Sequence, residues 1–117
     1  MSYVDGFVVA VPKKNVAAYK RTARAAGKIW MKHGALRYLE CMGDDLENSG
    51  IHLTFTKLQK AKKNEVPFFS FIVYKSRAHR DAVNKKVMSD PDLKAPKKMP
   101  FDPKTMAYGG FKAVVEF

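Results

Sequence analysis

The order of its segments predicts an α+β domain: a four-stranded antiparallel sheet with two helices on one face, the ferredoxin-like βαββαβ plan. Three observations carry this. Four runs are rich in aromatic and β-branched residues, which suit a pleated, packed surface. Two other segments repeat apolar residues at steps of three and four, as an amphipathic helix does. The two kinds follow one another as strand, helix, strand, strand, helix, strand. At 117 residues the chain is expected to form a single domain, residues 1–117.

Tyr3 to Val11 (YVDGFVVAV) is the first strand. Side chains alternate along a strand, so Tyr3, Phe7, Val9 and Val11 share one face and Val4, Val8 and Ala10 the other. Asp5-Gly6 interrupts the run and reads as a bend or bulge, or as one wall of a cavity with Gly109-Gly110. After Pro12 a helix starts near Lys13 to Asn15. Its stripe is Val16, Tyr19, Ala23, Ala26 and Trp30, and it stops at His33-Gly34, where glycine adopts the left-handed conformation cheaply. Tyr19, Trp30 and Met31 read as core. Ala35 to Gly43 is the second strand, with Leu36, Tyr38, Glu40 and Met42 on one face and Cys41, read as a small buried group, on the other.

Asp44 to Glu65 is irregular. Within it IHLTFTKL alternates weakly and reads as a short extra strand. Connections this long often serve as lids or binding loops. VPFFSFIVY, Val66 to Tyr74, is the central strand. Ser76 is the expected N-cap of the second helix, its hydroxyl accepting from the N–H of His79 or a neighbour. That helix runs through Ala78, Ala82, Val83 and Val87 and ends near Asp90-Pro91. Leu93 to Thr105 is a proline-rich surface crossing, and Met106 to Phe117 the last strand.

The central strand is apolar on both faces. Phe68, Ile72 and Tyr74 lie on one side and Phe69, Phe71 and Val73 on the other. Antiparallel sheets of small domains usually keep one polar face. Two helices cover only one side, so a second copy of the chain, related by a two-fold axis, is expected to cover the other. Left open, Phe69, Phe71 and Val73 would form an aggregation-prone patch.

A formal net charge of +11, from 22 basic and 11 acidic residues, favours anionic partners. No apolar run reaches the length of a membrane span. The start lacks the basic region and apolar core of a signal peptide. A lone Cys41 fits a cytoplasmic setting.

Arg77, His79 and Arg80, in the first turn of the second helix, form a candidate anion site, because backbone N–H groups and the helix dipole add to their charge. His33, Tyr38, Glu40 and His79 are the candidates for acid–base catalysis: histidine titrates near neutrality and a buried glutamate is tuned upward. The histidines, His52 included, lack metal-ligand spacing, so no metal site is expected, and no cofactor either. RNA recognition is the alternative. Pro67 to Tyr74 (PFFSFIVY) partly follows the RNA-recognition signature, with Phe69, Phe71 and Tyr74 in place and Pro67-Phe68 out of it. A purely structural or interaction module is the third class.

YVDGFVVAVP, HGALRYLEC, FSFIVYKSRAHRDAVNKKVMSDP and MPFD…YGGFK, spread over nearly the whole chain, resemble the YbaA-like bacterial family of domains of unknown function. SRAHRD is the most specific piece. The resemblance implies the dimeric α/β barrel superfamily, whose members include cofactor-free monooxygenases, isomerases and haem enzymes, so the fold chooses no chemistry. Some relatives carry a signal-recognition-particle RNA label. The combined expectation is a cytoplasmic homodimer binding a small ligand, with anions favoured, that acts as a cofactor-independent enzyme or a binding protein.

Overall fold

A computed structural model describes residues 1–47, 50 and 52–117. Strand β1 (Tyr3–Pro12) leads through a 3-10 turn (Lys13–Asn15) into helix α1 (Val16–Lys32). Strand β2 (Arg37–Met42), the short helix α2 (Phe55–Leu58), strand β3 (Glu65–Tyr74) and helix α3 (Arg77–Met88) follow, and a second 3-10 turn (Pro103–Thr105) precedes strand β4 (Ala107–Lys112). The four strands form one antiparallel sheet in the order β2-β3-β1-β4. Strand order and helix placement are compatible with the ferredoxin-like plan.

Local chemistry explains the boundaries. The Ser76 hydroxyl accepts from the His79 N–H at 3.0 Å and so caps α3. Gly34, with φ of +110°, turns the chain out of α1, and only glycine holds that conformation without strain. The described residues of the weakly alternating segment form no strand. Thr54 instead accepts from the Lys57 N–H at 3.2 Å and starts the single helical turn α2; four residues are too few for periodicity to separate the two. Ile51 of that expected strand lies outside the described residues. The last strand stops at Lys112, short of the expected Phe117.

α1 and α3 pack on one face of the sheet. Tyr19 and Ala23 meet Val9, Val11 and Phe68 in one cluster. Ile29, Val83 and Val87 meet Ile72 and Tyr74 in another. The opposite face carries Phe69, Phe71 and Val73. α2 reaches it, with the Phe55 ring 5.9 Å from that of Phe69, yet Phe69 remains 44% exposed. Cys41 and Met31 are also exposed, against expectation. Cys41 sits on an edge strand on the helix-free face, and Met31 lies off the buried stripe of α1. β1 pairs with both neighbours in continuous register, with no bulge at Asp5-Gly6.

The chain is a slab, 39 × 38 × 20 Å, with a radius of gyration of 15.1 Å. A compact domain of this length has roughly 13–14 Å.

Gly27 lets α1 approach β2: a Cβ there would stand 2.8 Å from two atoms of the Tyr38 ring. Alanine in a helix interior normally gains about 1 kcal/mol over glycine, whereas overpacking costs about 1–3 kcal/mol. Gly27→Ala is therefore expected to lower stability in urea denaturation. A gain would contradict this packing.

Candidate active site

The two core clusters do not meet. Between them one row crosses the sheet, Glu40–Ser70–Phe7–Tyr108 from β2 to β4. Ser70 stands between Phe68 and Ile72 on the covered face of β3, and its small side chain leaves room there. The result is a cavity of about 420 Å³, within the ligand-pocket range. Phe7, Trp30 and Ile72 supply apolar wall, and Tyr38, Glu40 and Asn84 polar wall.

Glu40 is the chemical centre of this wall. Burial pushes its carboxyl above the ordinary value of 4.5, against hydrogen bonds from Tyr19 and Ser70 that favour the ionised form. The Tyr19 hydroxyl donates to Glu40 Oε2 at 2.8 Å, and burial followed by the carboxylate's charge raises the Tyr19 pKa far above the usual phenol value. Tyr38 is raised in the same way, by burial first and Glu40 second. Both phenols therefore stay protonated near neutrality. Among the described residues the Tyr38 hydroxyl has no hydrogen-bond partner, which leaves a donor available beside the carboxylate. Asn84 is held by Trp30 Nε1 and the Tyr74 hydroxyl, both donating to its Oδ1 at 3.1 and 3.3 Å.

The outer wall is built by a buried ion pair. Asp5, 2% exposed, accepts from Arg80 Nη1 at 2.6 Å and from the Tyr108 hydroxyl at 3.2 Å. Arg80 Nε donates to Asp81 at 2.7 Å, and its guanidinium lies 4.9 Å from the Tyr3 ring centre. Removing one partner of a buried pair leaves a charge uncompensated, at a cost of about 3–5 kcal/mol. Opposite Asp5 stands Gly110, where a side chain would run into the Tyr3 ring.

Of the candidates read from sequence, the fold brings Tyr38 and Glu40 together and leaves the two histidines elsewhere. His33 Nε2 lies 2.7 Å from Asp90, which also accepts from Lys32 at 3.0 Å; this cluster ties the end of α1 to the turn after α3. His79 Nδ1 accepts from the Lys75 N–H at 2.9 Å. Of the candidate anion-binding residues, Arg80 is committed to Asp5 and Asp81, and Arg77 is exposed. Ser70 and Asn84 escape the sequence reading, which places Tyr19 in the core and Asp5 at a bend or a cavity wall; Asp5 does line the cavity. One signal was there: Asp5 and Ser70 are polar positions inside otherwise apolar strand faces. Among the described residues no group of His, Cys, Asp or Glu could hold a metal, and no helix is long and apolar enough to cross a membrane.

Fold and cavity thus define an α+β protein in which a carboxylate and, among the described residues, an unpartnered phenol face a partly open pocket between sheet and helices. The family "Protein of unknown function (DUF1428)" matches residues 2–103, and the chain belongs to it. It is 44% identical over 117 residues to "Uncharacterized protein YbaA" of Escherichia coli (strain K12), covering 99% of both chains. The Shigella flexneri protein of that name gives the same figures.

Because the folded-state pKa of Glu40 is raised, its protonated form is favoured by folding. The associated stability is fully present below the ordinary value of 4.5 and is lost as pH rises through the raised one. Denaturation of Glu40→Gln and the wild type across pH is expected to show the variant gaining relative stability over that window and then levelling. A constant or reversed difference would contradict a desolvated Glu40.

Proposed function

We propose that the protein is a homodimeric α/β barrel whose subunits each bind a small molecule in the sheet–helix cavity, and that Glu40 moves a proton on it without a cofactor. The observation that carries this is the desolvated Glu40 carboxyl beside the unpartnered Tyr38 hydroxyl on the cavity wall. A carboxylate whose pKa lies nearer neutrality is a better general base, and a phenol that stays protonated can donate to the oxygen of an enolate. In such a step Glu40 takes a proton from carbon and Tyr38 stabilises the resulting oxyanion. Return of the proton to another carbon would make an isomerisation.

The dimer is supported by the flat subunit and by the helix-free face, where Phe69 and Phe111 are 44% and 63% exposed. Fully burying an exposed ring contributes about 1.5–3 kcal/mol, and each of these, already partly covered, adds a share of that in a partner.

The same face supports a competing reading. Phe69 and Phe71, with ring centres 5.9 Å apart, and Phe111 on β4 resemble a platform for stacking bases, and the chain carries a net charge of +11. One face cannot do both. A monomer that binds single-stranded RNA with steep salt dependence favours RNA.

Proton transfer is tested with simple 1,3-dicarbonyl carbon acids in D2O, following exchange at carbon by proton NMR. The wild type is expected to accelerate exchange, and Glu40→Gln to lose roughly 10²–10⁴-fold of that acceleration. Equal rates for the two proteins would remove Glu40 from the chemistry.

A further inference from the structure

The Tyr19–Tyr38–Glu40 wall has a second side. Beyond it, between α1 and the edge strand β2, runs an open groove of about 610 Å³ floored by Ala23, Gly27, Met42 and Phe68. Its rim on α1 carries Lys20, Arg24 and Lys28. A spacing of four places these on successive turns of one helix face, spanning about 12 Å. None of the three forms an ion pair among the described residues.

Their unrelieved charge is unusual for a surface helix. Like charges four residues apart destabilise a helix by about 0.2–0.5 kcal/mol per pair. Acidic neighbours would cancel that, yet Val16–Lys32 contains no Asp or Glu. The inner cavity differs: its lining holds no Lys, Arg or His, its Asp5 carboxylate is matched by Arg80, and the carboxyl left without a cation is that of Glu40. Groove and cavity share Tyr19, Tyr38 and Glu40. A molecule reaching across that wall would pass from the cations of α1 to the Glu40 carboxyl.

We propose that the ligand is an amphipathic organic acid. Its anionic group lies along Lys20, Arg24 and Lys28, its flat apolar body rests on Gly27 and Phe68, and its uncharged end enters the cavity beside Glu40. The inference rests on the cavity reading above and adds the ligand's charge and direction to it. Repulsion from Glu40 keeps the acidic end outward, and the cations hold it there. The groove discriminates acids from neutral molecules of the same shape, while the cavity recognises the uncharged end of both.

The test uses two probes of nearly equal shape, 2-naphthoate and 2-naphthamide, titrated against the full chain by amide chemical shifts. The wild type is expected to bind the naphthoate about ten-fold more tightly, as a few partly exposed charge pairs allow. Shifts should centre on Ala23, Gly27 and Tyr38. The combined variant Lys20→Ala, Arg24→Ala, Lys28→Ala is expected to lose that preference and to retain the amide's affinity, which also reports that it is folded. Equal wild-type affinities, or a preference that survives in the variant, would overturn the proposal and leave the cavity reading intact. Failure of both probes to bind would overturn the two together. A short oligouridylate shifting the α1 amides in place of the naphthoate would overturn the small acid in favour of a nucleic-acid surface.

Discussion

The constraint on which the molecule depends is the two-sided apolarity of β3. Phe68, Ile72 and Tyr74 are buried beneath α1 and α3, and Phe69, Phe71 and Val73 point the other way. An antiparallel sheet of this size normally alternates apolar with polar so that one face can remain wet. Here α1 and α3 use up one face; on the second, Ala10 and Pro67 are buried and Phe55 reaches Phe69, which still stays 44% exposed. The flat shape is the geometric consequence: a layer of helices on a layer of strands, with the far side only partly covered, at its Ala10–Pro67 end and by Phe55. On the account proposed above, a second copy covers the rest of that side.

The same strand makes the cavity. Ser70 replaces a large residue where the two core clusters would otherwise fuse, and its row places Glu40 on one side and Phe7 on the other. Gly27 brings α1 close enough to position the Tyr38 ring. The carboxyl of Glu40 is thus desolvated by a framework of rigid elements rather than by a loop. Preorganisation of this kind is what acid–base chemistry requires. The Asp5–Arg80 pair, reinforced by Tyr108, fixes α3 against the sheet at the cavity's outer end.

What was legible in the sequence was mostly local. The Ser76 cap, the glycine turn after α1 and the strand identities all follow from a few adjacent residues. So does the placement of Tyr38 and Glu40 on one face, which alternation alone dictates. The contacts that give the site its character join distant segments: Tyr19 to Glu40, and Asp5 to Arg80 across 75 positions. No spacing rule encodes those, because they depend on how strands neighbour one another and on where a helix sits over them. Asp5 reads in the sequence as a bend, a bulge or a cavity wall; it lines the cavity without a bulge, and adjacent residues give no sign that it is a buried charge with a distant partner. Met31 and Cys41 read as core because they are apolar; Cys41 lies instead on the helix-free face of an edge strand, and Met31 off the buried stripe of α1.

Sedimentation equilibrium of the wild-type chain, at low and at high salt, addresses the central claim most directly. Hydrophobic association of two helix-free faces predicts twice the subunit mass of 13.2 kDa at micromolar concentration, with no weakening as salt rises. A single-subunit mass under both conditions would mean that Phe69 and Phe71 face water, and would contradict the account.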